Sequence, residues 1–129
     1  MSPQPPALDS GTRLAVDRTR LSYERTMMAW VRTATSLISF GFTIYKFFEL
    51  ELRKPASGIT MSKIGPREFA LLMITIGLVA LTLAGVQHYQ SLRSMRESFG
   101  TLPRSVAGPV AALIGLLGLV ALAGVYARI

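Results

Sequence analysis

Apolar residues gather into three long stretches, at residues 27–48, 69–87 and 106–127. The first is interrupted by Arg32 and Lys46, whereas the other two carry no charge at all. Each is about twenty residues, the length a helix needs to cross a hydrocarbon core of roughly 30 Å. A buried helix of a soluble protein rarely stays free of charge for so long. The pattern therefore predicts an all-α chain with three membrane-crossing helices.

The intervening segments read as boundaries. Residues 1–11 hold three of the seven prolines and no apolar periodicity, and read as a disordered tail without the hydrophobic region of a signal peptide. From Thr12, Leu14, Leu21 and Met28 recur every seven residues among charged neighbours. This predicts an amphipathic cytoplasmic extension of the first helix, within a single three-helix unit over residues 12–129. Residues 49–67 form a polar connection with Pro55, Gly58, Gly65 and Pro66, and Ser62 is a candidate N-cap for the second helix. The segment 87–104 carries Arg93, Arg96, Glu97 and Arg104 and ends in a Gly100/Pro103 break, while Pro109 is tolerable in the first turn of the third helix.

Composition sharpens this reading. Half of the 129 residues are hydrophobic and 16% are charged, against about a quarter charged in an ordinary soluble domain. There is no cysteine and a single histidine, His88. That excludes a disulfide framework and leaves too few ligands for zinc. No nucleophile–base–acid set or phosphate loop is present, so neither an enzyme nor a cofactor is expected, and His88 reads as an interfacial polar residue. The net charge of +7 is expected to meet lipid headgroups or passing anions, not nucleic acid. Arg13, Arg18, Arg20, Arg25, Arg32, Arg93, Arg96 and Arg104 on one face outnumber Lys46, Arg53, Lys54, Lys63, Arg67 and Arg128 on the other. The small excess favours a cytoplasmic N-terminus. Trp30, Tyr45, Tyr89 and Tyr126 fall near the ends of the runs, where amphipathic rings prefer to sit.

The first span differs from the others. At 100° per residue, Arg25, Ser36, Ser39, Thr43 and Lys46 all fall within about 40° of Arg32, in a stripe about 32 Å long. A charge facing lipid is costly, so intramembrane charges usually face a bundle interior or a wet cavity. The alternative is local: Arg32 and Lys46 snorkel to their own interfaces and the hydroxyls bond their own helix carbonyls. Three helices barely enclose such a stripe, so its burial calls for several copies around an axis, that is, a homo-oligomer. Small residues support close packing in lipid, within or between subunits: Ala70, Gly77 and Ala84 every seventh residue, and Ala107, Ala111 and Gly115 every fourth.

Before the membrane, Asp17 and Glu24 form one line and Arg18, Arg25 and Arg32 an adjacent one, each at seven-residue steps. Counting four residues forward, Glu24 meets Met28, which leaves Glu24 free for inter-helix pairing with Arg93 or Arg96. Arg18 belongs to the same expected cluster.

The segment at residues 21–42, LSYERTMMAWVRTATSLISFGF, resembles the hallmark of the YidH-like family, catalogued as domain of unknown function 202. The matching positions are Glu24, Arg25, Thr26, Ala29, Trp30, Arg32, Thr33, Leu37, Phe40 and Gly41, with Met27 and Met28 replacing a more usual aromatic or aliphatic pair. The resemblance implies a small multi-pass protein of the bacterial inner membrane. It also implies kinship with the membrane subunits of the vacuolar transporter chaperone complex, which assemble around an axis and are associated with moving polyphosphate. In that relative, basic residues of the first span line the path; by position, Arg25, Arg32 and Lys46 correspond. Two readings follow: an oligomer whose first helices line a path for anions or a phosphate-type polyanion, or a non-conducting scaffold that binds anionic lipid or another membrane protein through Glu24, Arg25 and Arg32.

Overall fold

The computed structural model describes residues 8–52, 65–100 and 103–127. They form three helices, α1 (Ser10–Leu52), α2 (Pro66–Phe99) and α3 (Ala107–Ala127). At 1.5 Å per residue these run about 65, 51 and 32 Å. α1 packs along α2, and α3 touches both. The tail as far as residue 7, Ser62, Arg53, Lys54, Lys63 and Arg128 lie outside the described residues.

The helix ends refine the expected boundaries. α1 starts two residues before Thr12, because the Arg13 amide already donates to the Asp9 carbonyl at 3.0 Å. Gly65, not Ser62, occupies the N-cap position of α2, with Pro66 just inside the helix. Proline suits that place because its missing N–H would have no intrahelical partner. α2 runs well beyond its apolar stretch and stops at Gly100, whose φ of 85° is open to glycine without strain. The Gly100 amide closes the end by donating to the Arg96 carbonyl. Pro109 lies in the first turn of α3.

Each helix turns a narrow seam inward. On α1, Met27, Val31, Ala34, Ile38 and Gly41 are buried; on α2, Ala70, Ile74, Gly77, Leu81, Ala84 and His88; on α3, Ala107, Ala111, Gly118 and Val125. The alternating steps of three and four are those of left-handed helix packing. The seam of small residues expected on α2 thus packs within the subunit, against α1. A Cβ on Gly41 would lie 3.0 Å from the Ala70 carbonyl oxygen, and one on Gly77 3.2 Å from that of Ala34. The two helices therefore touch backbone to backbone at two places one heptad apart. At the far end, Arg67 donates to the Val125 carbonyl at 3.5 Å, one of the last-turn acceptors that α3 cannot satisfy itself.

Outside the seams, apolar side chains face outward. Only 28% of the most apolar stretch of α2 and 17% of that of α3 are buried, and both helices are long and apolar enough to cross a membrane. Leu83, Leu113, Leu116 and Val120 all lie exposed, an extent of apolar surface unsuited to water. α1 does not reach the same mean apolarity, because Arg32, Thr33, Thr35, Ser36, Ser39 and Thr43 dilute it.

Gly41→Ala is expected to lower stability by about 1–3 kcal/mol, since the new methyl meets an unyielding backbone oxygen. Gly85→Ala, where a Cβ meets nothing within 4 Å, should leave stability unchanged or raise it slightly. Thermal unfolding of the detergent-solubilised protein measures both; equal behaviour of the two variants would contradict the close-contact account.

Candidate functional site: the outer face of the first helix

The packing seam determines where the polar stripe points. Val31, Ala34, Ile38 and Gly41 cluster on one side of α1, and Arg32, Ser36, Ser39 and Thr43 lie about 140° around the helix. Arg25, Arg32, Ser36, Ser39 and Thr43 are accordingly all exposed, away from α2 and α3. The chain's other two helices leave this face uncovered. Phe40 and Phe42 flank it and are exposed as well.

Local bonding separates the members of the stripe. The Ser36 hydroxyl donates to the Arg32 carbonyl at 3.0 Å and that of Thr43 to the Ser39 carbonyl at 2.7 Å. Each hydroxyl thus satisfies its proton within the helix and still offers oxygen lone pairs outward. Lys46 is half-buried, and its Nζ donates to Glu49 Oε2 at 2.9 Å and lies 5.7 Å from the centroid of the Tyr45 ring. Its charge is engaged locally, unlike those of the arginines. Among the described residues, Arg18, Arg25 and Arg32 form no ion pair. They make an uncompensated basic line at seven-residue steps.

The expected inter-helix pairing takes another form. Arg20 Nη2 donates to Glu24 Oε1 at 3.2 Å, and Arg93 Nε to Glu97 Oε1 at 3.1 Å. Both pairs are intrahelical, so Glu24 engages neither Arg93 nor Arg96, and Arg18 is exposed without a partner. The physical reason is spacing: four residues is the reach of an arginine to a carboxylate on the same face. Arg20 lies four residues before Glu24 on the same face, whereas the residue four positions after it is the uncharged Met28. Both side chains are largely covered, at 14% and 25% exposure, because they continue the seam toward α2. His88 also lies in that seam, 7% exposed, with Nε2 3.2 Å from Ser105 Oγ. It is a buried link between α2 and the start of α3, not a residue at the surface.

This distribution generates a contrast. Glu24→Ala leaves the largely covered Arg20 guanidinium without its partner and is expected to cost about 1–3 kcal/mol. Arg32→Ala, at an exposed and unpaired position, should change stability by less than about 0.5 kcal/mol. Unfolding midpoints in detergent would show this; a large loss for Arg32→Ala would make it a structural residue.

No curated protein and no solved structure matches the chain. A match to one family covers residues 12–129, nearly the whole length and all three helices. The chain belongs to the family described as Domain of unknown function (DUF202).

Proposed function

We propose that this protein is a YidH-like, multi-pass protein of the bacterial inner membrane with a cytoplasmic N-terminus, assembled from several copies. In that assembly the outer face of α1 lines an axial path for anions or phosphate-type polyanions. The observation that carries the reading is that Arg25, Arg32, Ser36, Ser39 and Thr43 share the one face of α1 that α2 and α3 leave open. α1 is the third membrane-crossing helix in this account. Placing its face against lipid would expose Arg32 at a cost of about 2.5–3.5 kcal/mol on insertion scales if the residue sat at the bilayer centre. Placing it around an axis lets water and anions solvate it.

Rings of arginine select for negative ions, and hydroxyl oxygens beside them keep the wall polar. Arg25 and Arg32 would form the rings, one heptad apart. Lys46, held by Glu49, would contribute a weaker field at the far end. The kinship proposed from residues 21–42 with the membrane subunits of the vacuolar transporter chaperone complex would make a polyanion the cargo and assigns no synthetic chemistry to this chain.

The competing reading is a non-conducting scaffold that binds a partner or anionic lipid. The internally bonded hydroxyls of Ser36 and Thr43 favour it, since hydroxyls so satisfied tolerate an apolar neighbour.

Purified protein reconstituted into vesicles should show anion-selective flux that Arg32→Ala reduces and Arg32→Glu abolishes or inverts. Absence of flux would leave the scaffold reading, and selectivity unchanged in Arg32→Glu would overturn the assignment of the path to this face of α1.

A further inference from the structure

A second basic feature lies away from α1's polar stripe, where α2 and α3 diverge. A cleft of about 530 Å³ opens between them, within the range of small-molecule sites. Its floor is apolar and largely bare of side chains: Leu81, Gly85, Gly108, Ala111, Ala112 and Gly115. A Cβ built on Gly85 or Gly108 would meet nothing within 4 Å, so these glycines border open space, unlike Gly41 and Gly77. From Gly108 to Gly115 the α3 wall extends about 11 Å along the helix. The cleft therefore begins where the charged segment starts and reaches into the apolar zone.

The mouth has the opposite character. Arg96 and Arg104 line it, together with Ser105 and His88, and no carboxylate does. Arg93, one turn before Arg96 and not among the residues that line the cleft, is paired with Glu97. Arg96 and Arg104 have no ion-pair partner among the described residues. The first turn of α3 begins beside them at Ala107, and a helix N-terminus favours negative charge. His88 adds a buried Nδ1 without a hydrogen-bond partner.

We propose that this cleft is a binding site for an anionic phospholipid, with the headgroup phosphate between Arg96 and Arg104 and one acyl chain along the glycine-lined floor. The two halves of the cleft match the two halves of such a molecule, and basic pockets between membrane helices at the cytoplasmic side are where acidic headgroups bind. A second copy of the chain fits less well. The exposed face of α1 at this membrane end carries Arg18, Arg25 and Arg32, which would meet Arg96 and Arg104 as like charges. The inference rests on α2 and α3 lying in a membrane and is independent of any path along α1.

Native mass spectrometry of the purified protein supplied with dioleoylphosphatidylglycerol or dioleoylphosphatidylcholine tests it, with inorganic phosphate as competitor. The wild type should retain phosphatidylglycerol in preference to phosphatidylcholine. Arg96→Ala and Arg104→Ala should each weaken that retention about fivefold, and Arg93→Ala should not. Gly108→Leu, which fills open space and keeps both arginines, should reduce retention while the protein unfolds at the wild-type temperature. Millimolar phosphate should fail to displace the lipid, because it has no acyl chain. Equal retention of phosphatidylglycerol by wild type, Arg96→Ala/Arg104→Ala and Gly108→Leu would overturn the site. So would full displacement by phosphate, or a change in oligomeric state in Gly108→Leu with lipid retention intact. Failure of the wild type to retain either lipid would instead count against the membrane reading of α2 and α3.

Discussion

The arrangement depends on the backbone contact between α1 and α2. Gly41 lies against the carbonyl of Ala70, and Gly77 against that of Ala34, at distances that leave no room for a side chain. Where van der Waals contact replaces the hydrophobic drive, as in lipid, such close approach is what makes two helices adhere. Two contacts one heptad apart also fix the rotation of α1 about its own axis. That rotation decides which residues remain uncovered, and those residues are Arg25, Arg32, Ser36, Ser39 and Thr43. Turning α1 by about 100° about its axis would bring part of the stripe against α2 and force hydroxyls into an apolar seam.

Ion pairing then sorts the charges. Arg20, Lys46 and Arg93 are each held by a glutamate three or four residues further along the same helix. The side chains of Arg13, Arg18, Arg25, Arg32, Arg96 and Arg104 make neither ion pair nor hydrogen bond among the described residues. All six belong to the end of the bundle that also carries the N-terminal part of α1. Unpaired positive charge at this end thus gathers in two places, one along α1 and one at the α2–α3 cleft. Each offers positive charge to an anion beside an apolar or hydroxyl-bearing surface.

The helices themselves were legible because twenty-residue apolar runs and a Gly100 stop have one simple physical meaning. Periodicity also revealed the shared face of Arg25, Arg32, Ser36, Ser39 and Thr43, since angles on one helix follow from numbering alone. The small residues Ala70, Gly77 and Ala84 marked a contact, but whether α1 or another subunit met them depended on packing across the chain. The Arg20–Glu24 pair also follows from spacing alone, since Arg20 lies four residues before Glu24 on the same helix. Two features needed the fold. The His88–Ser105 link joins positions separated by the end of α2. The cleft depends on where α2 and α3 diverge, and glycines at Gly85 and Gly108 look no different in sequence from the buried ones.

The orientation of the α1 stripe is the central claim, and the absence of native cysteine makes it open to a direct measurement. Single cysteines placed by Ser36→Cys, Ser39→Cys and Thr43→Cys can be treated in intact membranes with a charged, membrane-impermeant thiol reagent. Leu116→Cys serves as the lipid-facing reference. If the stripe lines a wet axial path, the three α1 positions should be labelled and Leu116→Cys should not. Silence at all three, matching the reference, would place the stripe against lipid or dry protein and contradict the account.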